Sequence, residues 1–259
     1  MLRFISGIKR IPNARKLTSV NGCSVNRSVN NSEFTQKNKI IEAIFNPTRS
    51  NTVAIIDIDG SKTTYGQLAI RSIELSKEIS KAQLGKASPT VGCFQLPSSS
   101  YVVSMLGTWL AGLRFLPLQT SHSMAELKYF IDDSDVSCLL YSNKHKTRFE
   151  ETGSTKHNFA ALSQLGVNLL CTDSSTSIIN NTIDIHQPNN CNYNHKHDPD
   201  HCLILYTSGT TGQPKGVLHL VNGIFTMTSS LAKAWNYTSN DKLLHYLPLH
   251  HLHGVLNNL

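Results

Sequence analysis

Apolar and polar positions alternate along the chain with two distinct periods, and the switches between them mark its elements. Val53-Ala-Ile-Ile-Asp-Ile58 predicts a strand, Asp59-Gly60 a tight turn, and Thr63-Thr-Tyr65 the returning strand of a hairpin. Leu68, Ile73, Leu75 and Ile79 then keep near-helical spacing to about Lys81, with Arg71, Glu74, Lys77 and Glu78 toward solvent. Upstream, Ser32 can cap a helix running through Phe45, with Phe34, Ile40, Ile41, Ile44 and Phe45 as its stripe and Pro47 beyond its end. From Thr90 onward strands and helices alternate: strand 91–96, helix 99–112, strand 115–118, helix 123–131, strand 136–141 and a short strand at 167–171. This order predicts an α/β fold, a parallel sheet covered by helices, with any site along the edge where the strands end.

Residues 172–201 interrupt the pattern, being rich in Ser, Thr, Asn and His with only scattered apolar positions, and predict an exposed linker. Its His195, His197 and His201, with Cys202, have no zinc-ligand spacing, so no metal site is expected there. Beyond it, Cys202-Leu-Ile-Leu-Tyr-Thr207 predicts a buried strand, and apolar spacing from Val217 to Trp235 predicts a helix. Four regions follow: 1–32, a first α/β subdomain at 33–171, the linker at 172–201, and the start of a second subdomain at 202–259.

The 259 residues carry a formal net charge of +7, which raises the question of a nucleic-acid partner. The location of the charge answers it. Arg3, Lys9, Arg10, Arg15, Lys16 and Arg27 stand in a leader without a single acidic residue, whereas 33–259 is nearly neutral, so no nucleic-acid partner is expected. Phe4, Ile5, Ile8 and Ile11 share one face of a helical projection of that leader, as in a mitochondrial targeting segment, and the matrix is the expected destination. No apolar run approaches the roughly 18 residues needed to cross a bilayer. The six cysteines form no Cys-x-x-Cys pair and suit a reducing compartment, with Cys93 and Cys138 as core residues.

Chemistry concentrates after the strand at 202–207. In Thr207-Ser-Gly-Thr-Thr-Gly-Gln-Pro-Lys-Gly216, glycines 209, 212 and 216 free the backbone to turn and present N–H groups. Ser208, Thr210 and Thr211 add hydroxyls, and Lys215 adds a mobile cation. That set suits a polyphosphate. The loop lacks the Gly-x-x-x-x-Gly-Lys-Ser/Thr spacing of a P-loop NTPase, because Lys215 lies between Pro214 and Gly216.

Tyr206-Thr-Ser-Gly-Thr-Thr-Gly-Gln-Pro-Lys-Gly216 resembles the phosphate-loop signature of the adenylate-forming superfamily of acyl-CoA synthetases, luciferases and peptide-synthetase adenylation domains. Three more stretches agree in order. Thr64-Tyr-Gly-Gln-Leu68 resembles the Thr-Tyr-x-Glu-Leu element, with Gln67 for the usual Glu. Leu110-Ala-Gly-Leu-Arg-Phe-Leu-Pro-Leu118 resembles the Ala-Gly-x-x-x-x-Pro-Leu element, with Gln119-Thr120 where Asp-Pro often follows. Leu247-Pro-Leu-His-His-Leu-His-Gly254 resembles the Pro-Leu-Phe-His-x-x-Gly segment lining the acyl and pantetheine pockets. The resemblance runs from about residue 34 to the end and is nearest the malonyl-CoA/methylmalonyl-CoA synthetase branch, with a medium-chain acyl-CoA synthetase as the alternative.

The resemblance implies the large-domain fold of an adenylate-forming enzyme, its N-terminal half, and an ATP-dependent acid–CoA ligase with Mg2+, CoA and a small carboxylic acid as partners. It assigns Thr207, Ser208, Gly209, Thr210, Thr211, Gly212, Gln213, Pro214 and Lys215 to the ATP phosphates and His251 to a gate beside the CoA tunnel. His253 is a candidate donor to a second substrate carboxylate, while His245 and His250 read as half-buried structural residues. The family's catalytic Lys, Mg-ligating Glu and ribose-binding Asp have no counterpart before Leu259. The expectation is an N-terminal part of a longer synthetase that is inactive alone; a short product that binds phosphates and catalyses nothing is the other possibility.

Overall fold

A computed structural model describes residues 9–10, 44–82, 90–142, 162–172, 201–208 and 212–257. The helix expected up to Phe45 apart from Ile44 and Phe45, the linker apart from Thr172 and His201, and most of the leader lie outside the described residues. Within the leader, β1 (Lys9–Arg10) is a two-residue strand where a helix was expected; it pairs antiparallel with the strand at 215–220, which removes that dipeptide from any helical turn.

After a short 3-10 turn at Pro47–Arg49, β2 (Val53–Ile56) and β3 (Lys62–Thr64) form a separate antiparallel hairpin. Helix α1 (Tyr65–Ala82) follows directly. Thr64 and Gln67 start it: the Gln67 side chain accepts from the Thr64 N–H at 2.9 Å, and the Thr64 hydroxyl accepts from the Gln67 N–H at 3.2 Å. Gln67 thus does the capping-box work of the Glu it replaces. Then come β4 (Thr90–Phe94), α2 (Ser99–Leu110), β5 (Arg114–Pro117), α3 (Met124–Asp133), β6 (Val136–Tyr141), β7 (Asn168–Cys171), β8 (His201–Thr207), β9 (Lys215–Leu220) and α4 (Val221–Ala234).

The main sheet has seven strands in the order β1-β9-β8-β5-β4-β6-β7. The pairs from β8 through β5, β4 and β6 to β7 are parallel, while β9 runs antiparallel to β8 and β1 to β9. Residues 202–259 therefore continue the sheet of the first subdomain, since Leu203 pairs with Phe115.

Alternation along the strands sends successive side chains to opposite faces. Phe115, Leu203 and Leu205 join α2 (Tyr101, Leu106, Trp109) and α4 (Val221, Ile224), whereas Leu116 and Ile204 join α3 (Leu127, Phe130, Ile131). Helix α1 adds Leu68, Leu75 and Ile79 against Val91, Cys138 and Leu140. The result is three layers, each fully buried Leu, Ile or Phe contributing roughly 1.5–3 kcal/mol. Cys93 and Cys138 are buried in this core as expected, and burial pushes the Cys93 thiol far up. No helix among the described residues is long and apolar enough to cross a membrane.

Candidate functional site

The phosphate-type loop turns out to join two antiparallel strands. Leu205 pairs with Val217, Tyr206 with Gly216 and Thr207 with Lys215, so the loop is the tip of a hairpin. The helix expected from Val217 begins only at Val221. Residues 215–220 are drawn into the sheet because β8 offers a free edge there, and backbone pairing overrides the helical period of their side chains. Among the described residues no helix N-terminus therefore stands directly behind the loop.

Gly209, Thr210 and Thr211 lie outside the described residues. Of the rest, Thr207, Ser208, Gly212 and Gln213 are exposed, and Pro214 and Lys215 are half-buried. Gly212 has φ +132, in the range that favours glycine, and a Cβ there would meet nothing within 4 Å. The loop thus faces open space, with donors of the kind a polyphosphate needs.

Both arms of the hairpin touch α3, through contacts that the sequence did not single out. The Tyr129 hydroxyl donates to the Pro214 carbonyl at 2.7 Å, and the Tyr206 hydroxyl donates to Asp133 Oδ2 at 2.6 Å. Ser134 Oγ lies 2.6 Å from the same Tyr206 oxygen. Burial first, and then the bond to Asp133, push the Tyr206 phenol up, so it remains a donor. The Tyr206 ring lies 4.5 Å from Phe130 between centroids, and its Cζ would be only 3.2 Å from a Cβ on Gly216.

The histidine segment reaches the body through Leu249, whose carbonyl accepts from the buried Tyr101 hydroxyl at 2.9 Å. It then coils back: the His251 N–H donates to Pro248 O at 3.2 Å, and the Gly254 and Val255 N–H groups donate to His251 O at 3.0 Å each. A π-helical turn occupies His253–Asn257. His250 is half-buried beside two other imidazoles, 4.1 Å from His251 and 6.2 Å from His122 between ring centroids. Burial, then His251 and His122, hold its pKa down to about 4. His245 bonds the Gly254 carbonyl through Nε2 at 3.0 Å.

His251 and His253 are both exposed, and only His251 shares a ring contact with His250. Among the described residues, no three His, Cys, Asp or Glu side chains gather to hold a metal ion.

The sequence pattern of the AMP-binding enzyme family matches residues 45–259. The chain is 34% identical to a malonate–CoA ligase of Arabidopsis thaliana over 85% of its length, and 36% identical to a mitochondrial malonate–CoA ligase of Xenopus laevis over 82%. It covers 38% and 36% of those two proteins, so it spans well under half the length of the relatives it matches. The crystal structure of ATP-bound MatB from Rhodopseudomonas palustris superposes with a TM-score of 0.63 at 24% identity, over 84% of this chain and 42% of that one, a likeness of fold.

Proposed function

The chain belongs to the AMP-binding enzyme family, and from that premise we propose that it is the N-terminal, phosphate-holding part of an AMP-forming acid–CoA ligase acting on malonate or methylmalonate. The observation that carries the reading is the pairing of Thr207 with Lys215 on either side of a Gly-, Ser- and Thr-rich sequence whose described residues Ser208, Gly212 and Gln213 are exposed. The malonate–CoA ligases of plant and frog support the choice of acid.

In this reading a substrate carboxylate oxygen attacks the α-phosphorus of ATP. The bond to the bridging oxygen breaks, leaving an acyl-adenylate and pyrophosphate. The CoA sulfur then attacks the acyl carbon, and AMP departs with the electron pair. Thr207, Ser208, Gly209, Thr210, Thr211, Gly212, Gln213 and Pro214 form the loop, whose N–H groups and hydroxyls hold the β- and γ-phosphates. Lys215 clamps the charge that grows on pyrophosphate. His251 gates the approach of CoA, and His253 donates toward the second carboxylate of the acid. Mg2+ bound to the triphosphate would offset its negative charge; among the described residues no His, Cys, Asp and Glu cluster of three is assembled for a metal ion. The acid-free leader, together with frog, cow and human relatives named as mitochondrial, supports the matrix as the place of action.

ATP–pyrophosphate exchange by the natural protein carrying this sequence tests the reading. Malonate or methylmalonate should support exchange, and Lys215→Ala should cut it at least tenfold, the loss of about 1.4 kcal/mol of charge-assisted binding. Equal exchange with a medium-chain acid would give the substrate to the alternative branch. Undiminished exchange in the variant would remove the phosphate loop.

A further inference from the structure

We infer that α3 is a two-point strut for the phosphate loop, and that Tyr129 and Asp133 are positioning residues for nucleotide binding although neither belongs to the loop. The inference rests on the phosphate-loop reading above and adds to it the residues that hold the loop in shape.

Tyr129 and Asp133 are four residues apart on α3, hence on one face of it. From that face each grips a different arm of the hairpin. Tyr129 donates to Pro214 O at 2.7 Å on the outgoing arm, and Asp133 accepts from the Tyr206 hydroxyl at 2.6 Å on the incoming arm. The first contact fixes more than one atom. The Pro214 carbonyl and the Lys215 N–H belong to one planar peptide unit, so holding the oxygen sets the direction of that N–H and the point from which the Lys215 side chain departs. The second contact anchors the residue just before Thr207. Gly216 closes the arrangement, because a side chain there would press on the Tyr206 ring at 3.2 Å.

The helix that grips is itself rigid. A capping box starts it, with the Ser123 N–H donating to Glu126 Oε2 at 2.7 Å and the Glu126 N–H donating to Ser123 Oγ at 3.3 Å. Leu127, Phe130 and Ile131 bury its other face against the sheet. A glycine-rich tip with no helix behind it would otherwise pay the ordering entropy when phosphate binds. Two hydrogen bonds from a packed helix meet part of that cost in advance.

The test compares Tyr129→Phe, Asp133→Ala and Asp133→Asn in the natural protein carrying this sequence, each read by hydrogen exchange of the 206–217 region and by calorimetric titration with MgATP and with pyrophosphate. Tyr129→Phe and Asp133→Ala should speed exchange severalfold in 206–217, leave β4 and β6 protected, and weaken both ligands about tenfold. Asp133→Asn keeps an acceptor for Tyr206 and should recover most of the protection and affinity. Unchanged exchange in Tyr129→Phe and Asp133→Ala overturns the strut, as does loss of protection throughout β4 and β6, which would make both residues general fold determinants. A wild-type chain that binds neither ligand overturns the phosphate-loop reading instead, and the exchange comparison still decides whether α3 holds the hairpin.

Discussion

Tyr101→Phe is the most direct probe of how the histidine segment is held. The hydroxyl of Tyr101, 2% exposed, donates to the Leu249 carbonyl at 2.9 Å across 148 residues of chain. Phe keeps the ring, its burial and its edge-on contact with Phe115 at 5.5 Å, so the substitution removes the oxygen and little else. What is lost is one net hydrogen bond, and the Leu249 carbonyl is left without this donor inside the core. The expected cost is about 1–2 kcal/mol. With a urea slope of about 2 kcal/mol per molar, the midpoint should fall by roughly 0.5–1 M. Trp109, 6% exposed and bonded through Nε1 to Cys202 O at 2.8 Å, supplies a fluorescence signal from the same cluster. Tyr246→Phe, at a side chain 81% exposed, is the control and should leave the midpoint within about 0.2 M. If Tyr101→Phe moves the midpoint no more than that control, the hydroxyl does not anchor the segment.

Gly254→Ala should be worse than the loss of a side-chain contact, because its Cβ would collide with the Pro248 carbonyl oxygen, a backbone atom that cannot step aside. A destabilisation of about 1–3 kcal/mol or more is expected, together with faster exchange at the Val255 N–H, and a wild-type urea curve would refute the close approach. His250 gives a pH dependence of definite sign. Its folded pKa of about 4 lies below its ordinary value of 6.5, so its neutral form contributes stability that is intact above about pH 6.5 and is lost as pH falls toward 4. His250→Phe should flatten that acid limb between pH 6.5 and 4 relative to wild type in urea titrations; parallel acid limbs would show that His250 is solvated in the folded chain.

Most of the architecture between residues 53 and 141 is legible because each element there obeys one period. Val136–Tyr141 is a continuous apolar run bounded by turn residues, and the structure makes it a strand of the same extent. The helix expected over 123–131 is present as Met124–Asp133, with a capping box of Ser123 and Glu126 at its start. The strand β9 was not legible. Val217, Leu220, Val221 and Ile224 carry a helical period straight through the strand–helix junction, and only pairing with β8, a tertiary fact, separates the two elements. For the same reason Tyr129 and Asp133 escaped notice, since on a helix whose apolar stripe is Leu127, Phe130 and Ile131 they read as ordinary surface positions. Their partners, Pro214 O and Tyr206, lie 85 and 73 residues away. The extra signal available was their four-residue spacing, and it means little until the hairpin is placed beside it. The composition of the loop, by contrast, needs no tertiary information, since glycines, hydroxyls and one Lys stand in ten consecutive positions, whereas its place between two paired strands does.

Had the helix begun at Val217, its N-terminus would have stood close behind the loop with about half a positive charge and a set of aligned N–H groups. A strand stands there instead, and α3 is the element that bonds both arms of the hairpin. The same helix borders the histidine segment. His122, immediately before its cap Ser123, lies 4.8 Å from Phe130 and 6.2 Å from His250. The parallel strands explain this proximity. Chain leaving the carboxyl ends of β4, β5 and β8 leads respectively to Tyr101, to His122 and to the phosphate loop, so all three gather along one edge of the sheet. A shift of α3 along the sheet would therefore be felt at the hairpin through Tyr129 and Asp133 and at the histidine segment through His122 and His250. Tyr129→Phe and Asp133→Ala break only the first of these links, so the packing of His250 against His122 should survive both variants, and the acid limb set by His250 should be unchanged in them.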